Sequence, residues 1–353
     1  MLTGKRKQEH IDICLNSGTD AFYNYWDDVM LWHSSIPAQD LDKIDLRTKA
    51  FGKTLNAPLV ISAMTGGYQH ARTINQRLAE AASEFGIGMG VGSQRPALKP
   101  KGDASSYSVV KDYDIPLKIS NIGLPQMIPQ GRHKPLTIED GRKALKMCDG
   151  DLLAIHMNYL QEIVQPEGDR NAAGALKAIE RFAKELPVLA KETGAGISRE
   201  AALALKKAGV KGIDVGGMSG TSFAAVEVFR AKRAKDSRLE RLGETFWNWG
   251  IPTPVSVIES RVGLPIIATG GLRNGLDVAR ALALGATLGG FAKRLLPAAM
   301  AGTKEVKTEL ELIISELRGA MFLTGCKSVS DLPKVRRAYL DWTYDLLHQT
   351  GGA

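Results

Sequence analysis

A chain of 353 residues with 44% hydrophobic and 24% charged residues lies far from the compositions that keep proteins disordered. Its 46 Lys+Arg against 38 Asp+Glu leave a net charge of +8, but aromatic content is only 6% and the basic excess sits in short windows, which argues against a nucleic-acid-binding face. Three cysteines (Cys14, Cys148, Cys326) without CxxC spacing argue against a disulfide framework or a zinc knuckle, and no apolar run approaches the ~20 residues of a membrane span. The polar start, with no apolar core behind it, completes the expectation of a cytoplasmic, soluble protein.

In chain order, residues 1–57 read as an amino-terminal extension. Within it Arg6, Lys7 and His10 fall at helical spacing, so a short helix over 5–15 carries three potential phosphate contacts on one face. Eight short, apolar, β-branched-rich runs follow, at 58–63, 86–91, 116–120, 152–156, 187–191, 211–215, 264–268 and 286–291. Their starts are 22 to 36 residues apart, enough for a strand and a crossover helix, except for one step of 53 residues from 211 to 264. That pattern predicts an α/β fold, a (β/α)8 TIM barrel over 58–302 with an insertion at about 219–251, followed by carboxy-terminal helices over 303–353. All of this is read as one TIM-barrel domain. The insertion holds a basic window, 227–241, with six basic against three acidic residues, expected at the barrel mouth as a lid or outer loop near phosphorylated ligands.

Barrel enzymes carry their chemistry at the carboxyl ends of the strands, and polar residues gather there in this chain. Met64-Thr65-Gly66-Gly67 follows the first run and Gly92-Ser93-Gln94-Arg95 the second, while the third leads to Asn121. The fourth opens into His156, Asn158, Gln161 and Glu162, then Gln165 to Asp169; the fifth ends at Lys191, and the sixth leads through Asp214 to Gly220-Thr221-Ser222. Glycine pairs close the seventh (Gly270-Gly271-Leu272-Arg273) and the eighth (Gly289-Gly290, then Ala292-Lys293), the arrangement in which backbone N–H groups hold a phosphate. Read on its own, Lys191 is a salt-bridged structural lysine, a Schiff-base lysine or a counterion to a flavin. Glu162 is a surface carboxylate or a Mg2+ ligand, and His156 a core histidine or part of a site. Ser93 and Arg95 add anion donors.

Taken together, Arg6-Lys7 with His10, the Met64 to Gly67 and Gly92 to Arg95 segments, His156 to Glu162, Gln165 to Asp169 and Gly217 to Ser222 strongly resemble the type 2 isopentenyl-diphosphate isomerases over nearly the whole chain. The resemblance implies an isomerase of isoprenoid biosynthesis that interconverts isopentenyl and dimethylallyl diphosphate with reduced FMN and Mg2+, NADPH serving as reductant, in a homotetramer or homo-octamer. By position it implies that Ala63, Met64, Thr65, Ser93, Asn121, Lys191 and Thr221 bind FMN, with Gly271, Leu272, Arg273, Ala292 and Lys293 around its phosphate. Arg6, Lys7, His10, Ser93, Gln94, Arg95 and Asn158 would hold the diphosphate, Gln161 the hydrocarbon end, and Glu162 the metal. Gln161 and His156 are the candidate catalytic residues. A second expectation is an FMN oxidoreductase of the hydroxy-acid oxidase or dehydrogenase type, which requires a base such as a His/Asp pair, with Asp151 and Asp169 near His156 in sequence.

Overall fold

The computed structural model describes residues 2–351 apart from Gln69, Arg132 and His133. Its strands are, in chain order, β1 (Val29–Leu31), β2 (Thr48–Ala50), β3 (Lys53–Leu55), β4 (Leu59–Ile61), β5 (Gly88–Gly90), β6 (Lys118–Gly123), β7 (Leu152–Met157), β8 (Val188–Glu192), β9 (Gly212–Asp214), β10 (Ile266–Ala268), β11 (Leu288–Phe291) and β12 (Arg337–Tyr339). Strands β4 to β11 close into a parallel barrel in sequential order, β11 pairing back onto β4 through Gly289↔Leu59. All eight expected strands are present, each starting within two residues of its expected position.

Two apolar cores hold this arrangement. One fills the barrel itself, built from Val60, Ile119, Ala154, Leu189 and Ile267 with Leu117, Leu152 and Leu288 in the same cluster. The larger one lies between the strands and the surrounding helices. Helix starts follow side-chain capping: Thr137 and Asp140 form a capping box before Ile138–Cys148, and Ser198, Ser222 and Asn274 each accept an N–H from the first turn they precede. The β2–β3 hairpin plugs the amino-terminal end of the barrel, with Ala50, Leu55 and Phe51 joining the interior core. Its turn has positive φ at both Phe51 and Gly52, the twist that suits a two-residue hairpin. A Cβ at Gly212 would stand 2.5 Å from the Phe51 ring, so glycine there makes room for the plug.

Two features add to the sequence expectation. First, the amino-terminal extension packs against the carboxy-terminal tail: β1 pairs antiparallel with β12, and Asp28 accepts the Thr343 N–H at 2.9 Å, joining extension and tail on one flank. Trp26 in the extension is fully buried, worth ~1.5–3 kcal/mol of apolar transfer, and donates to the Gly270 carbonyl at 3.0 Å. Second, the basic window is no loop. It runs through the helices Phe223–Ala234 and Ser237–Thr245, and two of its six basic side chains, Arg230 and Lys232, form ion pairs among the described residues. Arg230 pairs with Glu227 (2.6 Å), Glu167 (3.1 Å) and Glu9 (3.2 Å), and Lys232 stands 3.7 Å from both Glu240 and Glu244. Through Arg230 the insertion is thus braced against Glu9 of the first helix, Leu2–Asn16.

Candidate active site at the barrel mouth

Alternation along a strand puts every second side chain inside the barrel. Two residues beyond the apolar layer of Val60, Ile119, Ala154, Leu189 and Ile267, the same parity brings in Ser62, Asn121, His156, Lys191 and Thr269, with Asp214 beside them on β9. The interior thus turns from apolar to polar at the carboxyl ends of the strands. Lys191 and Asp214 are register partners and form a 2.9 Å ion pair, both buried, while the Thr269 hydroxyl donates to the other carboxylate oxygen of Asp214. On the neighbouring strand β7, His156, the register partner of Lys191, bonds Asn121 Oδ1 through Nδ1 at 2.7 Å. Burial, with the charges of Lys191, Lys7 and Arg95, drives the His156 pKa down to about 3, so its imidazole is neutral at physiological pH. Ser62 Oγ is buried without a partner among the described residues.

Above this ring lies the first helix, which extends over Leu2–Asn16 where 5–15 was expected. Lys7 Nζ reaches into the mouth and donates to the carbonyls of Gly66 (2.5 Å) and Ser93 (2.8 Å) and to the Tyr107 hydroxyl (3.0 Å). All three acceptors are neutral, and burial together with the nearby Arg6 charge lowers its pKa to about 7. After β7 the short helix Tyr159–Val164 buries two polar side chains, Gln161 and Glu162, beside buried Asn158, which precedes it. Asn158 Nδ2 donates to Gln161 Oε1 (3.2 Å) and Glu162 Oε1 (3.1 Å), and the Asp169 N–H donates to Glu162 Oε2 at 2.7 Å. No ion pair reaches Glu162 among the described residues, and burial raises its pKa. Asn158 Oδ1 beside it has no donor among the described residues.

Glu227, fully buried on the Phe223–Ala234 helix, closes the group from the far side. One carboxylate oxygen takes His10 Nε2 (2.9 Å) and Gln161 Nε2 (3.2 Å), and the other takes Arg230 (2.6 Å). Burial alone pushes this carboxyl up, but the His10 bond, the His10 and Arg230 charges and Gln161 together bring it below its usual value. The sequence reading missed Glu227 because its partners His10 and Gln161 lie 217 and 66 residues away. The available signal was a lone acid in the apolar stretch Ala224-Ala225-Val226-Glu227-Val228-Phe229.

The glycine-rich ends of β9 and β10 leave backbone N–H groups without partners among the described residues. The extension holds the carbonyls of Gly270 (by Trp26), Gly271 (by Asn24, 2.8 Å) and Gly220 (by Ala21, 2.7 Å). In a trans peptide the N–H points opposite to the C=O, so the N–H groups of Gly271, Leu272 and Thr221 face away from the extension, and none has a partner among the described residues. Gly271 has φ +78°, and a Cβ there would sit 1.9 Å from the Ser219 carbonyl. At Gly290 a Cβ would meet Thr269 and the unpartnered Ser62 hydroxyl, at 2.4 and 2.6 Å. Three unpaired amides beside a polar strand-end ring fit a phosphorylated ring cofactor. For a divalent cation the donors are fewer, since no group of three or more potential ligands occurs among the described residues. Glu162 with the orphan Asn158 carbonyl fits Mg2+ shared with phosphate oxygens, the usual habit of that ion.

Not every expected residue faces the mouth. Gln94 is fully buried and spent on structure, accepting the Asn121 N–H (2.8 Å) and donating to the Ala144 carbonyl (2.9 Å). Arg273 is clamped by Asp277 (2.8 Å) and Asp27 (2.6 Å), so its charge is neutralised. Lys293 is held by Asp20 (2.8 Å), which also accepts from Thr221 (3.3 Å). Arg6 bonds Glu167 at 3.5 Å and Arg95 bonds Asp169 at 3.0 Å. Ala63 and Met64 are half-buried beside buried Thr65 at the end of β4. The His/Asp pair required by the oxidoreductase expectation is not formed: Asp151 pairs with Lys53 (2.6 Å) and Asp169 with Arg95, while His156 turns to Asn121.

Comparison with known proteins places the chain. The family model of the FMN-dependent dehydrogenases matches residues 175–338. Solved structures of mandelate oxidase share the fold, one complex with (S)-2-phenylpropionate superposing with a TM-score of 0.62 at 19% identity over 94% of both chains. Sequence relatives are far nearer. The isopentenyl-diphosphate delta-isomerase of Thermoplasma volcanium is 48% identical over 94% of this chain and 96% of its own, that of Archaeoglobus fulgidus 48% over 94% of both, and that of Methanosarcina mazei 44% over 99% and 95%. The chain belongs to the isopentenyl-diphosphate delta-isomerase family.

Proposed function

We propose that this protein interconverts isopentenyl and dimethylallyl diphosphate, with FMN in reduced form, Mg2+ at Glu162 and NADPH as reductant. The observation that carries the reading is the Gln161–Glu227–His10 chain of hydrogen bonds, whose His10 shares the first helix with Lys7, itself bonded to the Gly66 and Ser93 carbonyls at the strand ends. Shifting an unactivated double bond requires a proton added at one carbon and one removed at another, in a site that excludes water. The Gly271, Leu272 and Thr221 amides would hold the phosphate of FMN, with Ala63, Met64, Thr65, Ser93, Asn121 and Lys191 around its ring, and the reduced cofactor would supply proton exchange on one side of the alkene. Ala292 and Lys293 would flank its phosphate, and Arg273, with its N–H and guanidinium both held by Asp277, would shape the loop.

On the opposite side Glu227 orients Gln161, and His10 holds a proton within reach of the same carboxylate. Arg6, Lys7, Ser93, Arg95 and Asn158 bind the diphosphate. His156, neutral at working pH, hydrogen-bonds and orients and is no acid. The fitting assay is anaerobic incubation with FMN, reductant, Mg2+ and isopentenyl diphosphate: dimethylallyl diphosphate should accumulate with the flavin still reduced. Flavin reoxidation in step with product, or no product, overturns the reading.

Two further outcomes are expected. Glu162→Gln should raise the Mg2+ concentration for half-maximal activity by at least the ~10–100-fold seen when a metal site loses even a supporting group; an unchanged Mg2+ titration would remove Glu162 from the metal. Lys7 has a folded-state pKa of about 7, so below that pH it is already an ammonium, whereas above it the amine must take up a proton on binding. The dissociation constant for inorganic pyrophosphate should therefore be flat with respect to Lys7 below pH 7 and rise about tenfold per pH unit above it. Calorimetry in buffers of different ionisation enthalpy measures the uptake, and Lys7→Arg should abolish it.

Placement in the cytoplasm rests on three free cysteines, and among the described residues no helix is long and apolar enough to cross a membrane. Homotetramer or homo-octamer assembly is proposed on the flank where Met30, Trp32, Leu340, Trp342 and Tyr344 are exposed together around β1 and β12.

A further inference from the structure

We propose that Asp214 is a positioning residue that sets how much positive charge Lys191 presents to the flavin. The inference rests on the reading of Lys191 as a flavin partner. The two side chains are register partners on β8 and β9, both pointing into the polar ring, with exposures of 11% and 6%. Asp214 is fixed at both oxygens, by Lys191 Nζ at 2.9 Å and by the Thr269 hydroxyl, which itself accepts the Gly216 N–H at 3.2 Å. Lys191 Nζ is fixed a second time by the Glu192 carbonyl at 3.1 Å. A rigid chain of donors and acceptors therefore crosses three adjacent strands, β8 to β10.

A buried ion pair is a poor stabilising device, since apolar replacements of similar volume commonly serve as well. Its clear consequence here is electrostatic. An isolated buried ammonium would favour extra negative charge on whatever ring lies against it, whereas the Lys191–Asp214 pair presents a dipole of no net charge. An isomerase returns its cofactor unchanged in redox state, and a ring that must keep an exchangeable proton is better served by the neutralised lysine. Ser62, the unpartnered hydroxyl of the same ring, borders the same small cavity as Lys191 and Asp214 and leaves a donor directed at the site.

The test is the reduction potential of bound FMN, read by equilibration with redox dyes, alongside FMN affinity from fluorescence quenching. Asp214→Asn should raise the preference for reduced over oxidised FMN about tenfold, a shift of about 30 mV upward for a two-electron couple. In a Lys191→Met background the same change should have little effect, because Asp214 acts through Lys191. An equal shift in both backgrounds, or none in either, overturns the proposal. Should Asp214→Asn fail to fold, Thr269→Val loosens the carboxylate and should shift the potential in the same direction by less, with no shift counting against the proposal. Absence of FMN uptake by the wild-type chain overturns both this inference and the flavin reading. Potentials that follow the scheme without isomerisation overturn the isomerase reading alone.

Discussion

Glu227→Gln is expected to lower single-turnover isomerisation by about 10²–10⁴-fold, the range associated with loss of a positioned proton-transfer group. The carboxylate accepts three hydrogen bonds, from His10, Gln161 and Arg230, and all three partners are donors. A glutamine amide has only one oxygen. Whichever way it turns, its NH2 faces either the Arg230 guanidinium or the His10–Gln161 pair, so one side of the network loses its acceptor. Arg230 retains Glu9 and Glu167, which favours the amide pointing toward Arg230 less than the charge on that guanidinium opposes it. The oxygen is therefore drawn to Arg230 and Gln161 is released. FMN binding should stay within a few-fold, because the Gly271 and Leu272 amides lie on the loop after β10 and the Thr221 amide stands before the helix N-cap Ser222, six residues ahead of Glu227. Anaerobic rapid-quench measurement with pre-reduced enzyme separates the two; a rate within threefold of wild type would remove Glu227 from the proton path.

The barrel was legible in the sequence because each strand is a local apolar run with a turn behind it. Starts such as 152 and 188 need no tertiary information. The strand-end parity was equally readable, since Leu189 and Lys191, or Ala154 and His156, are two residues apart by construction. What escaped was whatever depends on pairing over long distance. Strands β1 and β12 are three residues each and form only because residues about 300 positions apart meet, Val29 with Tyr339. Glu227 looked like one charge in a basic window until its helix turned it inward against His10 and Gln161. Gln94 shows the opposite failure: it stands in the Ser93-Gln94-Arg95 segment, yet the chain turns so that its side chain packs behind β6 against Ala144. A motif specifies residue types, whereas the local backbone decides which of them reach the mouth.

Gly271→Ala should yield a chain that no longer retains flavin, with FMN affinity reduced by two orders of magnitude or more and a thermal midpoint several degrees lower. Two costs coincide at this residue. Its φ of +78° lies where a Cβ is strained by about 1–3 kcal/mol. The added carbon would also stand 1.9 Å from the Ser219 carbonyl, a backbone atom that cannot rotate aside as a side-chain end does. Relief requires the 219–222 segment to move, and with it the Thr221 amide and the Gly220 carbonyl that Ala21 holds. The three N–H groups then no longer keep their arrangement, and an anion held by several amides loses them together rather than singly. Gly319→Ala is the matched control: it lies in the Thr303–Leu323 helix with nothing within 4 Å of the added carbon, and should raise stability by about 0.5–1 kcal/mol without touching flavin content. Flavin absorbance of the purified proteins and fluorescence titration of the apo forms measure the difference; full flavin occupancy in Gly271→Ala would place the cofactor phosphate elsewhere in the mouth.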